Sequence, residues 1–202
     1  RSRLQLIIGG LLILLFTLIP KLSRSQSQLR NYKIVQGGDE IGWMRLEKNI
    51  NGHRSAYILT SEIKTRVILL IKVCAKETAE FENGKLIHST QFRKTNGDVK
   101  LNKQTRLIAN KYEVEEDGRK KNLALTNVTT NLLSLYFYEP AGINMLYSDK
   151  FECFVNVTKT SDGGYKVKFP DDNSNIFYYS GGICTKIKIN HTFYSATVII
   201  KP

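Results

Sequence analysis

A mainly β fold is predicted: a curved antiparallel sheet or incomplete β-barrel of about ten strands, wrapped around one short helix. Three observations carry it. Two-residue turn signals recur along the chain, at Asn51-Gly52, Asn83-Gly84, Asn96-Gly97, Asp117-Gly118 and Gly181-Gly182, and such pairs fit the positive φ angles that tight hairpins need. The last sixty residues alternate apolar and polar side chains with the two-residue period of a half-buried strand. One stretch, residues 127–140, breaks that pattern. There Leu132, Leu135 and Tyr136 share one helical face, and Leu133 and Phe137 share the next, so a helix would be apolar over most of its circumference and would need cover on most sides.

The first expected strand is 32–36, after a polar linker at 26–30. Gly37-Gly38-Asp39 turns the chain into 40–50, where Ile41 and Trp43 oppose Met44 and Leu46. The turn at Asn51-Gly52 leads to 54–63, with Tyr57, Leu59 and Ile63 on one face. Residues 67–74 are apolar on both faces apart from Lys72, which suggests the most central strand, buried under the helix or at a bend between sheets. A meander follows. Within it Leu86, His88, Thr90 and Phe92 alternate with Ile87, Ser89 and Gln91, while Ile108, Tyr112 and Val114 share a face.

The helix is expected over 128–138, capped by Thr126 or Asn127 and stopped by Pro140. A further buried strand is the alternative, because Val, Thr, Tyr and Phe also favour β structure. Beyond it Tyr165, Val167 and Phe169 face the core opposite Lys166 and Lys168. Ile183, Thr185, Ile187, Ile189, His191 and Phe193 likewise form the dry face, opposite Cys184, Lys186, Lys188 and Asn190. Residues 196–201 close the sheet.

Residues 1–25 read as a secretory signal peptide. Arg1 and Arg3 precede an apolar run over 4–19, and Ser23 and Ser25 place small residues before Gln26. An uncleaved anchor is the alternative, although the run is short for a span of about 20 residues. The domain is then 31–202. The net charge of +12 includes Arg1, Arg3, Lys21 and Arg24, with no acid in the leader, so 12 less 4 leaves +8 on the domain. Charge of that sign suits anionic lipid or acidic polysaccharide at a cell envelope, and nucleic acid is not an expected partner of an exported chain. The plainer meaning is a lysine-rich outer face that keeps strands soluble.

Catalytic and metal signatures are not found. The three histidines, His53, His88 and His191, lack ligand spacing, and no nucleophile elbow, phosphate loop or dinucleotide fingerprint occurs. His191 is expected as a core histidine. Cys74, Cys153 and Cys184 are expected as free thiols, because strand parity points Cys153 inward and Cys184 outward. No cofactor is expected. Ten Tyr, nine Phe and one Trp either line an apolar cavity or fill a core. If a cavity exists, Trp43, Tyr57, Tyr136, Phe137 and Tyr138 are its candidate ligand-binding residues. Lys166, Lys168, Lys186 and Lys188 form the candidate basic surface.

Several segments in order resemble an uncharacterised family of bacterial exported β-proteins, a domain of unknown function. They include Tyr32-Lys-Ile-Val with Ile41-Gly42, Phe81-Glu-Asn-Gly84-Lys-Leu86 followed by Ser89, and Leu133-Ser-Leu-Tyr-Phe-Tyr-Glu-Pro140. Tyr147-Ser-Asp, residues 165–170 and Tyr178-Tyr-Ser-Gly-Gly182 complete the set. The family is similar in architecture to periplasmic half-barrels that carry lipoproteins or lipids. The resemblance implies export, a sheet wrapped around helix with an apolar concave face, and no catalytic residue. The expected function is therefore a non-enzymatic periplasmic or extracellular binding protein for an apolar or amphiphilic ligand. The alternative is an envelope module that meets acidic headgroups or polysaccharide through its lysine faces.

Overall fold

Tight turns set the architecture. Asn83-Gly84, Asn96-Gly97 and Asp117-Gly118 all have positive φ at both residues (51° and 75°, 51° and 93°, 49° and 79°), as a type I′ hairpin requires. A computed structural model describes residues 26–66 and 70–202. The leader 1–25, and 67–69 of the expected central strand, lie outside the described residues.

The strands are β1 (Gln26–Gln36), β2 (Asp39–Asn51), β3 (Arg54–Arg66), β4 (Leu70–Glu82), β5 (Lys85–Thr95), β6 (Asp98–Ile108), β7 (Lys111–Glu116) and β8 (Arg119–Leu123). After a 3-10 helix at Leu132–Tyr136 come β9 (Met145–Ser148), β10 (Cys153–Lys159), β11 (Tyr165–Lys168), β12 (Ser174–Ser180), β13 (Ile183–His191) and β14 (Tyr194–Ile200). All pair antiparallel in one curled sheet, in the order β8-β7-β6-β5-β4-β3-β2-β1-β14-β13-β12-β11-β10-β9. Two meanders therefore meet where β1 pairs with β14, and β8 and β9 are left as the two edges.

Fourteen strands replace the ten expected. One cause is the Ala109-Asn110 turn, with φ of 46° and 65°, which splits β6 from β7. Alanine rarely adopts the left-handed region, so the sequence gives no turn signal there. Ile108 is consequently half exposed and does not share the buried face of Tyr112 and Val114. The expected linker 26–30 is strand as well, since Gln26 through Arg30 pair with β2. Nor is the 67–74 run central. Leu70 is 60% exposed, and β4 lies fifth from the β8 edge.

The long helix is not formed. Only Leu132–Tyr136 is helical, and its cap is Asn131, whose Oδ1 accepts from the Ser134 amide at 3.3 Å. The residues before it are drawn into extended backbone by other bonds. The Val128 carbonyl accepts from Leu86 N–H at 2.8 Å, and the Thr130 carbonyl accepts from Tyr147 N–H at 2.9 Å. Residues 128–131 are thus tied first to β5 and then to β9 rather than winding into a first turn. Leu133, Leu135 and Phe137 still enter the core, where they meet Tyr32, Leu46, Tyr57, Leu59, Phe177 and Ile187. A short plug inside a curved sheet is the arrangement, smaller than the helix expected.

Two bulges reset the faces. In β13, Tyr178 pairs with Lys186 and Tyr179 with Cys184, which leaves Thr185 as an extra residue. Cys184 is therefore turned inward and fully buried, against the outward placement expected, and its carbonyl accepts from Tyr32 Oη at 2.9 Å. Ile183, expected inside, is 42% exposed, and Phe193, also expected inside, is 87% exposed in the β13–β14 turn. In β5, Glu80 pairs with His88 and Phe81 with Leu86, which leaves Ile87 extra. Leu86, Ser89 and Gln91 then all point inward, with His88 and Phe92 outside. A bulge inserts one unpaired residue and so inverts the alternation beyond it.

Candidate functional site

One transverse row on the inner face is polar. Glu77 on β4 pairs across strands with Gln91 on β5, Gln91 with Lys103 on β6, and Lys103 with Glu116 on β7. The neighbouring inner row, Ala79, Ser89, Thr105 and Val114, is buried and small or apolar. Beside the polar row a cavity of about 510 Å³ opens at the end of the sheet where β5 meets β6 and β13 meets β14. Apolar side chains from the far wall, Phe151, Phe169, Ile189 and Tyr194, face it together with Leu132. Phe151 and Phe169 stack at 5.6 Å.

The carboxylates are unequal. Asp149, in the β9–β10 turn, is buried. It accepts Ser89 Oγ on Oδ1 at 2.5 Å and Asn131 Nδ2 on Oδ2 at 3.1 Å. Burial nevertheless raises its carboxyl above the ordinary range, and the two donors offset only part of that. Glu77 is pushed up to about 7, first by burial and then by the Asp149 charge, against the smaller pull of the Gln91 amide and Arg93. Gln91 is 8% exposed, and its Oε1 has no hydrogen-bond partner among the described residues. An orphaned buried acceptor beside two strained carboxylates gives the cavity an excess of acceptors.

The nearest cation is already occupied. Lys103 Nζ lies 2.8 Å from Glu152, 3.2 Å from Glu116 and 3.3 Å from the Lys150 carbonyl. Burial alone would raise Glu152, but Lys103 and Lys121 together hold it below its ordinary value. These pairs link β6 and β8 to the β9–β10 turn, so they bridge the opening between the two sheet edges. No group of three or more His, Cys, Asp or Glu among the described residues is placed to hold a metal ion.

The residues expected at a ligand site are scattered. Trp43 is 42% exposed on the outer face, because the alternation of β2 turns Met44 and Leu46 inward and Trp43 away from the core. Tyr57 and Phe137 are buried and packed on each other at 5.4 Å, so they fill the core rather than line the large cavity. Tyr136 sits between Tyr32 and Phe177; burial first, and then the Glu77 carboxylate, raise its hydroxyl. Tyr138 is 47% exposed at the opposite end, beneath Lys48 Nζ at 4.2 Å. A shallower depression of about 350 Å³ there is lined by Tyr57 and Tyr138. His191 also departs from its expected core position. It lies at the β13–β14 turn, stacked on Tyr194 at 4.6 Å, and forms part of the cavity rim.

The expected basic surface is on the outside. Lys168 pairs with Asp172 at 3.3 Å, and Lys186 and Lys188 lie over the Tyr178 ring at 4.3 and 5.2 Å. Lys166 joins them through Ile176, its cross-strand partner and that of Lys188. Sequence reasoning missed Glu77, Gln91, Lys103 and Asp149. The available signal was polar residues at inward positions of otherwise apolar strands, but the Ile87 bulge conceals it for Gln91.

A family described as domain of unknown function DUF6134 matches residues 32–201. Among solved structures, the chain is similar to a β-barrel-like protein of the domain of unknown function DUF1849 from Brucella abortus. The TM-score is 0.53 at 12% identity, over 86% of this chain and 95% of that one. That likeness concerns the fold. No curated protein matches the sequence.

Proposed function

The chain belongs to the family described as domain of unknown function DUF6134, and from that premise we propose that it is a non-enzymatic, exported binding protein holding an amphiphilic ligand in the open end of its curled sheet. The observation that carries this reading is Gln91, a buried side chain with an unpartnered Oε1 that belongs to the wall of a cavity of about 510 Å³. A buried acceptor without a donor costs about 1–3 kcal/mol, which a ligand that supplies the donor recovers. The volume lies within the range of small-molecule sites. One wall is aromatic and aliphatic and the other polar, as suits a ligand with an apolar body and a polar end. Ser89, the hydroxyl beside the carboxylates, is buried and committed to Asp149, so the polar wall suits holding a ligand better than attacking one. Export belongs to the same proposal and rests on the charged and apolar leader.

The test uses an uncharged fluorescent apolar dye such as Nile red. The protein is expected to enhance its emission saturably, and Ile189→Trp, which fills the cavity, is expected to abolish the enhancement while the thermal unfolding curve stays two-state. Undiminished enhancement in that folded variant would place the dye elsewhere and count against the cavity.

A second reading has its own observation. Trp43, Lys33, Ile199, Lys186 and Tyr178 are successive cross-strand partners along the outer face of β2, β1, β14, β13 and β12. Aromatic and lysine side chains in one row suit anionic headgroups or acidic polysaccharide. Co-sedimentation with anionic lipid vesicles that fades as salt is raised supports it, and no sedimentation at low salt removes it.

A further inference from the structure

The polar wall of the cavity has a definite chemical bias. Glu77, Asp149 and Gln91 contribute acceptors to it, while Arg93, Asn175 and Asn190 place donors elsewhere on its lining. Asp149 receives one hydrogen bond on each oxygen and keeps lone pairs free. Glu77 faces its cross-strand partner Gln91, whose Oε1 has no donor. The one buried ammonium in the row, Lys103, is spent on Glu152, Glu116 and the Lys150 carbonyl. Two carboxylates are therefore brought near each other with no ion-pair contact among the described residues, Lys103 acting on Asp149 and Arg93 on Glu77 only as more distant charges. Arg93 stands at the exposed rim. The Tyr136 hydroxyl lies on the plug side of Glu77 and is itself a donor or acceptor.

We propose, as a refinement that rests on the amphiphile-binding reading above, that the ligand carries a protonated amine, seated on the carboxylates of Glu77 and Asp149 and on Gln91 Oε1. An ammonium has three N–H donors and no acceptor, and three acceptor groups share this part of the cavity wall. Its charge relieves the repulsion between the two acids, which an alcohol or amide only partly does, and charge-assisted bonds are roughly twice as strong as neutral ones. A carboxylate head would add a third anion. The aliphatic part of the ligand lies along Phe151, Phe169 and Ile189.

The experiment titrates the full chain by calorimetry with octylamine, octanol and octanoate, which share one tail and differ in the head. Octylamine is expected to bind about tenfold or more tightly than octanol, with octanoate the weakest. Glu77→Gln keeps the shape and removes one charge, and it is expected to bring octylamine down about tenfold while leaving octanol unchanged. Gln91→Leu is expected to weaken octylamine by a smaller factor. Between about pH 5.5 and about pH 8 octylamine affinity should rise in the native chain and stay flatter in Glu77→Gln, because the amine remains charged throughout and Glu77 does not. Asp149, Arg93, Lys103, Glu116 and Tyr136 are the other titratable groups around Glu77, and all are retained in that variant. If octanol or octanoate binds as tightly as octylamine, the amine assignment fails and the amphiphile reading survives. If none of the three binds, both fail.

Discussion

Ser89 Oγ donates to Asp149 Oδ1 at 2.5 Å, joining β5 to the β9–β10 turn across sixty residues of chain. The bond spans the opening between the two edges of the sheet, and both partners are buried. Ser89→Ala leaves Asp149 with Asn131 as its one remaining side-chain donor. The expected loss is about 1–3 kcal/mol of unfolding free energy, read by urea denaturation, since the acceptor is charged and buried. A change within error would mean that the turn is held by other contacts.

Lys103 and Lys121 reach the same Glu152 from opposite environments. Lys103 is 7% exposed and Lys121 60% exposed. Lys103→Met strands Glu116 and part of the Glu152 charge, so a loss of about 3 kcal/mol is expected. Lys121→Ala removes a solvent-screened contact and should cost less than about 1 kcal/mol. Equal losses in denaturation would contradict the assignment of Lys103 as the buried tie.

Glu77 makes the fold pH-sensitive in an unusual direction. Its carboxyl is raised from an ordinary 4.5 to about 7, so the folded chain binds the proton more tightly than the unfolded one. The stability linked to that proton is fully present below about pH 4.5 and is lost as pH rises to about 7. Glu77→Gln removes the loss. Its unfolding free energy should match that of the native chain near pH 4.5 and exceed it near pH 8, by about 1–3 kcal/mol. A constant difference across that window would show that Glu77 does not titrate there.

Gly42 carries a separate constraint. A Cβ built at this position meets the Glu62 carbonyl oxygen and lies 2.9 Å from Ile63 Cα, both backbone atoms. Gly42 pairs with Ile63 in the β2–β3 ladder, so neither strand can yield without breaking register. Gly42→Ala is expected to cost about 1–3 kcal/mol by overpacking, measured as a lowered urea midpoint. An unchanged midpoint would show that the two strands separate freely.

Much of the fold was legible because alternation and turn chemistry are local. The Asn-Gly and Asp-Gly hairpins, the inward Tyr165, Val167 and Ile187, and the outward Lys166, Lys168, Lys186 and Lys188 all follow from two-residue periodicity. What was hidden depends on partners far away in sequence. Residues 128–131 stay extended because Leu86 and Tyr147 take their carbonyls, and no feature of 126–138 alone announces that competition. The bulges at Ile87 and Thr185 are set by pairing with neighbouring strands, and they moved Gln91 and Cys184 to the inner face. Hence the aromatics looked like the candidate site, while the acceptors that line the cavity resembled ordinary polar strand residues. Ser89 and the Tyr147-Ser-Asp stretch were visible as segments of the family resemblance, and the structure brings them together.

The most direct measurement is native mass spectrometry of the protein purified gently from its own host, in the original form and as Ile189→Trp. The account predicts a stoichiometric small-molecule mass on the original chain that is absent from the variant. A bare chain in both, or the same adduct retained when the cavity is filled, would contradict it.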